Sequence, residues 1–205
     1  METTRELVAK EAARLLYYGI SEEYKHAKER AARSLGFDAL PSNHEVAIQL
    51  DMLAETLEGE KRKELLVIMR ELAVNVMRIL KRMNPILRGS VWRGTARLGS
   101  DIDIDVYSNR PGEAERLLSE AGYKIEGSEE AVSIQDGRTS RSTHIKINLD
   151  EGIDGEVVVR PTEEMSVVEN CEIFGDLKRG LSLGDLEKLM KTDPLRKFVP
   201  KRRYK

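Results

Sequence analysis

At 205 residues and 40% hydrophobic content, the chain can form one compact domain with an appendage, or two small domains. Its formal net charge of −2 gives the whole chain no bulk attraction to nucleic acid or anionic membrane, so any such affinity has to be local. The single cysteine, Cys171, excludes an internal disulfide and a cysteine-rich zinc site, and a reduced intracellular setting follows.

Charged residues make up 34% of the chain and aromatic residues only 5%, a mix that suggests long, exposed helices. No apolar run approaches the roughly 18 residues that a membrane span needs. The stretch METTRELVAKEAARLL is charged within its first turns and has no signal-peptide pattern. The expectation is a cytoplasmic protein that does not enter a membrane.

Residues 1–84 read as a helical N-terminal region. A first helix is predicted from Thr4 to Tyr18, with Leu7, Ala12, Leu15 and Leu16 on one side and Gly19 as punctuation. A second follows Ser21 and stops at Gly36. A third opens on a capping box, in which Ser42 and Glu45 each satisfy the other's backbone, and ends at Gly59. The fourth and longest runs from Glu60 to Met83, with Leu65, Met69, Leu72, Val76 and Leu80 as its core stripe, and could also form a dimer surface. Asn84-Pro85 ends it.

From Pro85 to Thr162 the texture changes to short β-like runs. PILRG and DIDIDVY read as strands on either side of a glycine-rich turn, and PGEAERLLSEAG as a short helix from Pro111 to Gly122. HIKINL and EVVVRP then form a hairpin across DEGIDG, with Ile145, Ile147, Leu149, Val157 and Val159 facing inward. Glu156 and Arg160 share the opposite face. Residues 163–205 return to helix, capped by Ser182 and Asp185, and end in the basic stretch LRKFVPKRRYK. The fold class expected is α+β: a small mixed sheet with a helical N-terminal region and a short helical C-terminal extension.

The stretch GSVWRGTARLGSDIDIDV places Asp101, Asp103 and Asp105 at alternate positions, so a strand would point all three the same way. Alternate charges on a half-buried strand usually face solvent, but a solvated face would mix signs. Like carboxylates crowded on one face repel each other, and a divalent cation removes that conflict. Upstream, Gly89-Ser90 can open a short helix whose backbone N–H groups point at phosphate. Arg93 and Arg97 lie between that turn and the aspartates, where guanidinium groups could meet phosphate oxygens.

Gly89-Ser90, Arg93-Gly94 and Ser100-Asp101-Ile102-Asp103 together resemble the signature of the nucleotidyltransferase superfamily related to DNA polymerase beta, especially its minimal, single-domain members. The helical front, with EYKHAKERAARSLG and PSNHEVA, also resembles archaeal proteins predicted to be nucleotidyltransferases. The resemblance implies that Asp101 and Asp103 bind metal, and that Gly89, Ser90, Arg93 and Ser100 belong to the nucleotide site. It also implies a third acid on a neighbouring strand, for which Glu156 fits best and Asp154 second. Asp105 is an extra acid, either an outer ligand or a residue pointing to solvent.

The implied cofactor is Mg2+, with Mn2+ as the alternative, and the implied substrate is a nucleoside triphosphate, with ATP expected. The chemistry is transfer of a nucleoside monophosphate to an acceptor hydroxyl with release of pyrophosphate. RNA, a protein and a small molecule are all open as acceptors. The competing reading is a non-catalytic nucleotide-binding or toxin-neutralising module that keeps the fold.

Three histidines, His26, His44 and His144, are scattered without metal spacing, and His144 begins a strand on the candidate site's face. Trp92 could stack on a base or pack under the loop. Cys171 is expected to be buried, since no basic partner lies near it in sequence.

Overall fold

A computed structural model describes residues 2–135, 138–150, 152–167 and 169–201. The chain divides into two units, one formed by Met1–Arg62 with Asn170–Leu177 and Pro200–Lys205, the other by Lys63–Glu169 with Lys178–Val199. The last four residues of the basic tail, 202–205, lie outside the described residues.

The first unit is built on three helices: α1 (Thr4–Tyr17), α2 (Tyr24–Leu35) and α3 (Asn43–Glu58). Both predicted cap signals at α3 are used: Glu45 N donates to Ser42 Oγ, and Ser42 N donates to the Glu45 carboxylate at 2.7 Å. Thr3 and Glu6 make the same reciprocal pair at α1, a box the sequence reading did not single out. Small residues let these helices approach closely, with Val8, Ala9, Ala12, Ala13, Ala27, Ala31 and Val46 buried in one cluster. Arg62 is 4% exposed and is held by the carboxylates of Asp51 and Glu55.

Cys171 is half-buried in this unit rather than buried, and its amide donates to the Asp176 carbonyl at 2.7 Å. His44 packs edge-to-face on Phe174.

The unit boundary falls just inside α4 (Glu60–Ile79), which is shorter than its stripe suggested, because Lys81–Met83 tightens into a 3-10 turn before Asn84 takes a left-handed conformation. The second unit then forms β1 (Ile86–Leu87), α5 (Gly89–Arg93), β2 (Ile102–Tyr107), α6 (Pro111–Glu120), β3 (Lys124–Gln135), β4 (Arg138–Asp150), β5 (Ile153–Arg160), β6 (Leu181–Ser182) and α7 (Leu183–Thr192). The six strands make one mixed sheet in the order β3-β4-β5-β2-β1-β6. β2 runs parallel to β5, and the other neighbours pair antiparallel.

One face of the sheet is apolar. Ile102, Ile104, Val106, Ile145, Ile147, Val157 and Val159 pack with residues of α4, α6 and α7 in a single core cluster. Each such side chain contributes about 1.5–3 kcal/mol when fully buried, so this face alone fixes the strand registers. The opposite face is polar, and it carries the aspartates of β2.

Two elements differ from expectation. β3 has no counterpart in the predicted elements, and β4 begins at Arg138, six residues before the predicted strand start at His144. Their outer parts, residues 128–132 of β3 and 139–142 of β4, are mostly exposed and lack the alternation that marks a strand. Their pairing with each other supplies what hydrophobicity does not. Among the described residues, no helix is long and apolar enough to cross a membrane.

Candidate functional site

The site lies on the polar face, where β1 turns into α5 and β2 passes beneath it. Arg88 N donates to the Asp103 carbonyl at 2.8 Å, which brings the next residue, Gly89, against the Asp103 side chain. A Cβ built on Gly89 would sit 1.8 Å from Asp103 Oδ2, and its φ of +61° is left-handed. Glycine is therefore required at this position twice over, by conformation and by space. The first-turn N–H groups of α5 have no intrahelical partner, as at every helix start, and Ser90 lies among them.

Gly94, the second glycine of the motif, has an equally specific reason. It ends α5 at φ +72°, and its missing Cβ leaves room for the Arg196 carbonyl, which would lie 2.8 Å away. Arg70 secures the same end of α5. It is fully buried, and its guanidinium donates to the carbonyls of Val91, Trp92, Pro194 and Arg196 at 2.6–3.2 Å. Burial lowers its pKa to about 10, still charged at neutral pH.

Parallel pairing of β2 with β5 sets Asp103 directly beside Glu156, and β4 places Lys146 on the other side of Glu156. The structure thus brings Asp103 and Glu156 together, with Asp101 immediately before β2 and exposed rather than within the strand. Asp154 is exposed and paired with Asn148 near the hairpin turn. Burial, and then repulsion from Asp101, Glu156 and Asp105, raises the Asp103 pKa from 3.8 to about 7.

Asp105 does not point to solvent. It is 8% exposed, accepts a hydrogen bond from Arg88 Nε at 2.9 Å, and lies 3.3 Å from Arg160 Nε. The Arg160 contact is an ion pair without hydrogen-bond alignment. Arg88 also donates to the Lys178 carbonyl and the Tyr107 hydroxyl, and Arg160 approaches Glu164 and Glu169. Strand alternation alone puts Arg160 on the face of Glu156 but does not join it to Asp105. That pairing depends on β2 and β5 being neighbours, which the sequence does not state.

Arg93 is a correction to the expected phosphate contacts. It is 4% exposed, donates to the Phe198 carbonyl at 2.9 Å, and lies 4.2 Å over the Trp92 ring. It binds the C-terminal segment of this unit, and Trp92 packs in the core instead of offering a stacking face. Ser100 closes the turn before β2, accepting from Arg97 N at 3.0 Å and donating its own amide to the Arg97 carbonyl. Arg97 Nη1 donates to the Leu98 carbonyl.

The donor set fits a divalent cation. No described amide or side chain donates a hydrogen bond to the Asp103 carboxylate, which three other acids surround. Among the described residues, no three His, Cys, Asp or Glu side chains come together closely enough to hold a metal ion by themselves. A hard cation such as magnesium suits this arrangement, since it takes one or two carboxylates and completes its shell with water and phosphate oxygens.

Residues 75–153 match the family model of a nucleotidyltransferase domain. The matched segment contains Gly89, Ser90, Asp101 and Asp103 and stops three residues short of Glu156. No curated protein matches the chain. Among solved structures, the chain is similar to a cytoplasmic RNA terminal U-transferase, at 16% identity and a TM-score of 0.33, over 57% of this chain and 34% of that one. The chain thus spans about a third of that structure's length. The match to a nucleotidyltransferase domain is confined to residues 75–153, under half of the chain.

Proposed function

We propose that the protein is a magnesium-dependent nucleotidyltransferase, moving a nucleoside monophosphate from a nucleoside triphosphate, ATP in the first instance, to an acceptor hydroxyl. The observation that carries this reading is the register that sets Asp103 beside Glu156 while Gly89 leaves space for the Asp103 carboxylate. A structural domain with a solvated acidic strand would have no need of either.

In this reading Asp101, Asp103 and Glu156 hold the metal, and Gly89, Ser90 and the first turn of α5 receive the terminal phosphates. Ser100 keeps the turn that presents Asp101. Held by these carboxylates, a Mg2+ or Mn2+ ion would supply Lewis-acid activation of the acceptor hydroxyl and charge stabilisation for the departing pyrophosphate. Glu156 would also help take the acceptor's proton. Asp105 with Arg88 and Arg160 keeps β1, β2 and β5 in register around the site, and the machinery falls within residues 85–162. The remaining acceptor classes are RNA, a protein or a small molecule; a cytoplasmic setting and a homodimer through α4 stay part of the proposal.

The test is calorimetric binding of ATP with and without Mg2+, repeated on an Asp101→Asn/Asp103→Asn double variant. Binding that needs both the metal and the aspartates is expected. Metal-independent binding, or none with any of the four common nucleoside triphosphates, would favour the non-catalytic binding module. Glu156→Gln should then cost at least about 100-fold in transfer while leaving ATP binding measurable.

A further inference from the structure

The chemistry above leaves Lys146 unused. It is the Cα partner of Glu156 across β4 and β5, as Glu156 is of Asp103 across β5 and β2, so the three side chains stand in one row on the polar face. The row continues to Gly127 on β3, where a Cβ would meet nothing within 4 Å. At its opposite end, Gly89 lies against the Asp103 carboxylate. The acids are thus flanked by the glycine-serine turn on the β1 side and by a lysine with open space beyond it on the β4 side.

A lysine and a glutamate facing each other across two strands ordinarily pair. Here they do not. Glu156 Oε1 lies 3.2 Å from His144 Nδ1 instead, and the exposed Lys146 makes no hydrogen bond or ion pair among the described residues. Polar groups nearby are engaged elsewhere: Asn148 donates to Asp154, and Glu126 pairs with Lys124. The Lys146 ammonium therefore keeps all three of its donors for a ligand. Two strand spacings, roughly 10 Å, separate its backbone from that of Asp103, a span that one sugar bearing a phosphate can bridge. An anionic molecule reaching the site from this side would otherwise meet only the like charges of Asp101, Asp103 and Glu156, and an ammonium on the path offsets that repulsion.

We propose that Lys146 determines acceptor specificity by binding a phosphate group, so that the hydroxyl receiving the nucleotide belongs to a phosphate-bearing molecule. The proposal rests on the nucleotidyl-transfer reading above. The triphosphate, seated at Gly89 and Ser90, lies on the β1 side of the acids. The acceptor enters from the β4 side, its phosphate on Lys146 and its hydroxyl toward Glu156. A polynucleotide end and a phosphorylated sugar share this chemistry, whereas a neutral or cationic acceptor gains nothing from the ammonium.

The experiment gives the full chain Mg2+ and ATP labelled at the α-phosphate, then each of the other three nucleotides, with two sets of acceptors. One set is an oligoribonucleotide with a free 3′ hydroxyl and ribose 5-phosphate; the other is a nucleoside, ribose and a serine-containing peptide. Label transfer is followed, with KM measured separately for acceptor and nucleotide. Transfer to a phosphate-bearing acceptor is expected, with Lys146→Met raising the acceptor KM at least about tenfold and leaving kcat and the nucleotide KM within about twofold. Lys146→Arg should keep most of the affinity, and Lys191→Met, on α7, should change nothing. Because Lys146 bonds to no other residue, Lys146→Met should melt with the wild-type Tm, which separates lost affinity from lost fold. Transfer to the oligoribonucleotide alone identifies a polynucleotide end, and transfer to ribose 5-phosphate alone a small phosphorylated molecule. Preference for the phosphate-free set, or an acceptor KM that Lys146→Met leaves unchanged, overturns the proposal and leaves nucleotidyl transfer standing. Nucleotide that binds without transfer to either set overturns it too, and failure of every nucleotide to bind overturns both readings at once.

Discussion

Asp103 and Asp105 lie two residues apart on one face of β2, yet only Asp105 is neutralised, by Arg88 and Arg160. Asp103 is surrounded by Asp101, Glu156 and Asp105, and its pKa rises to about 7. The two aspartates of one motif therefore have opposite electrostatic roles, one holding strands together and one storing repulsion that a cation can relieve.

The stored repulsion has a definite pH dependence. A carboxyl whose folded pKa exceeds its unfolded value contributes stability that is complete below about pH 4 and is lost as pH rises through about 7. From this group, the metal-free protein should lose up to about 4 kcal/mol between those limits. Thermal melts from pH 5 to pH 8 should show a falling Tm, restored by Mg2+ most strongly at pH 8. Asp103→Asn should flatten both responses and leave the metal-free protein more stable than wild type at pH 8. A pH-independent Tm in the wild type would remove this account.

Asp105→Asn should act in the opposite direction. It leaves Arg88 and Arg160, which are about a quarter exposed or less, without their shared carboxylate. A loss of about 2–4 kcal/mol in chemical denaturation is expected, with little change on adding Mg2+. If Asp105→Asn instead abolished metal binding while preserving stability, Asp105 would be a ligand after all.

Gly89→Ala tests the contact between α5 and β2. The added methyl would occupy the place of Asp103 Oδ2, and alanine at φ +61° is strained by roughly 1–2 kcal/mol. The measured outcome should be a modest drop in Tm with a weakening of ATP–Mg2+ binding of about tenfold or more, because the Asp103 carboxylate has to move. Unchanged affinity would show that the close approach has no part in the site.

Arg70→Met addresses the other end of α5. It removes the donor shared by four carbonyls from two parts of the chain, so the loss should be about 3–5 kcal/mol. Hydrogen exchange should localise the loosening to residues 89–95 and 193–199. Arg70→Lys should recover only part of it, since one ammonium cannot span the same fork.

Much of this protein is legible in its sequence because the signals are local. The helices of the first unit follow from caps such as Ser42 with Glu45 and from apolar spacing. The burial of Ile102, Ile104, Ile145, Ile147, Val157 and Val159 follows from the two-residue period of strands. The motif glycines could be seen, and so could the shared face of Glu156 and Arg160.

The β4–β5 hairpin is legible in the sequence, but tertiary structure decided how β2 pairs with β5. The parallel β2–β5 pairing, between segments some fifty residues apart, puts Asp103 beside Glu156 and gives Asp105 its arginines. Packing of the segment around Arg196 and Phe198 against α5 likewise turns Arg93 inward and gives Gly94 its close approach to Arg196. β3 was hidden for the same reason: its polar residues are held by cross-strand hydrogen bonds rather than by a buried face. Periodicity records how each segment meets a core, but the choice of partner is a property of the whole chain's packing, and no short stretch of sequence contains it.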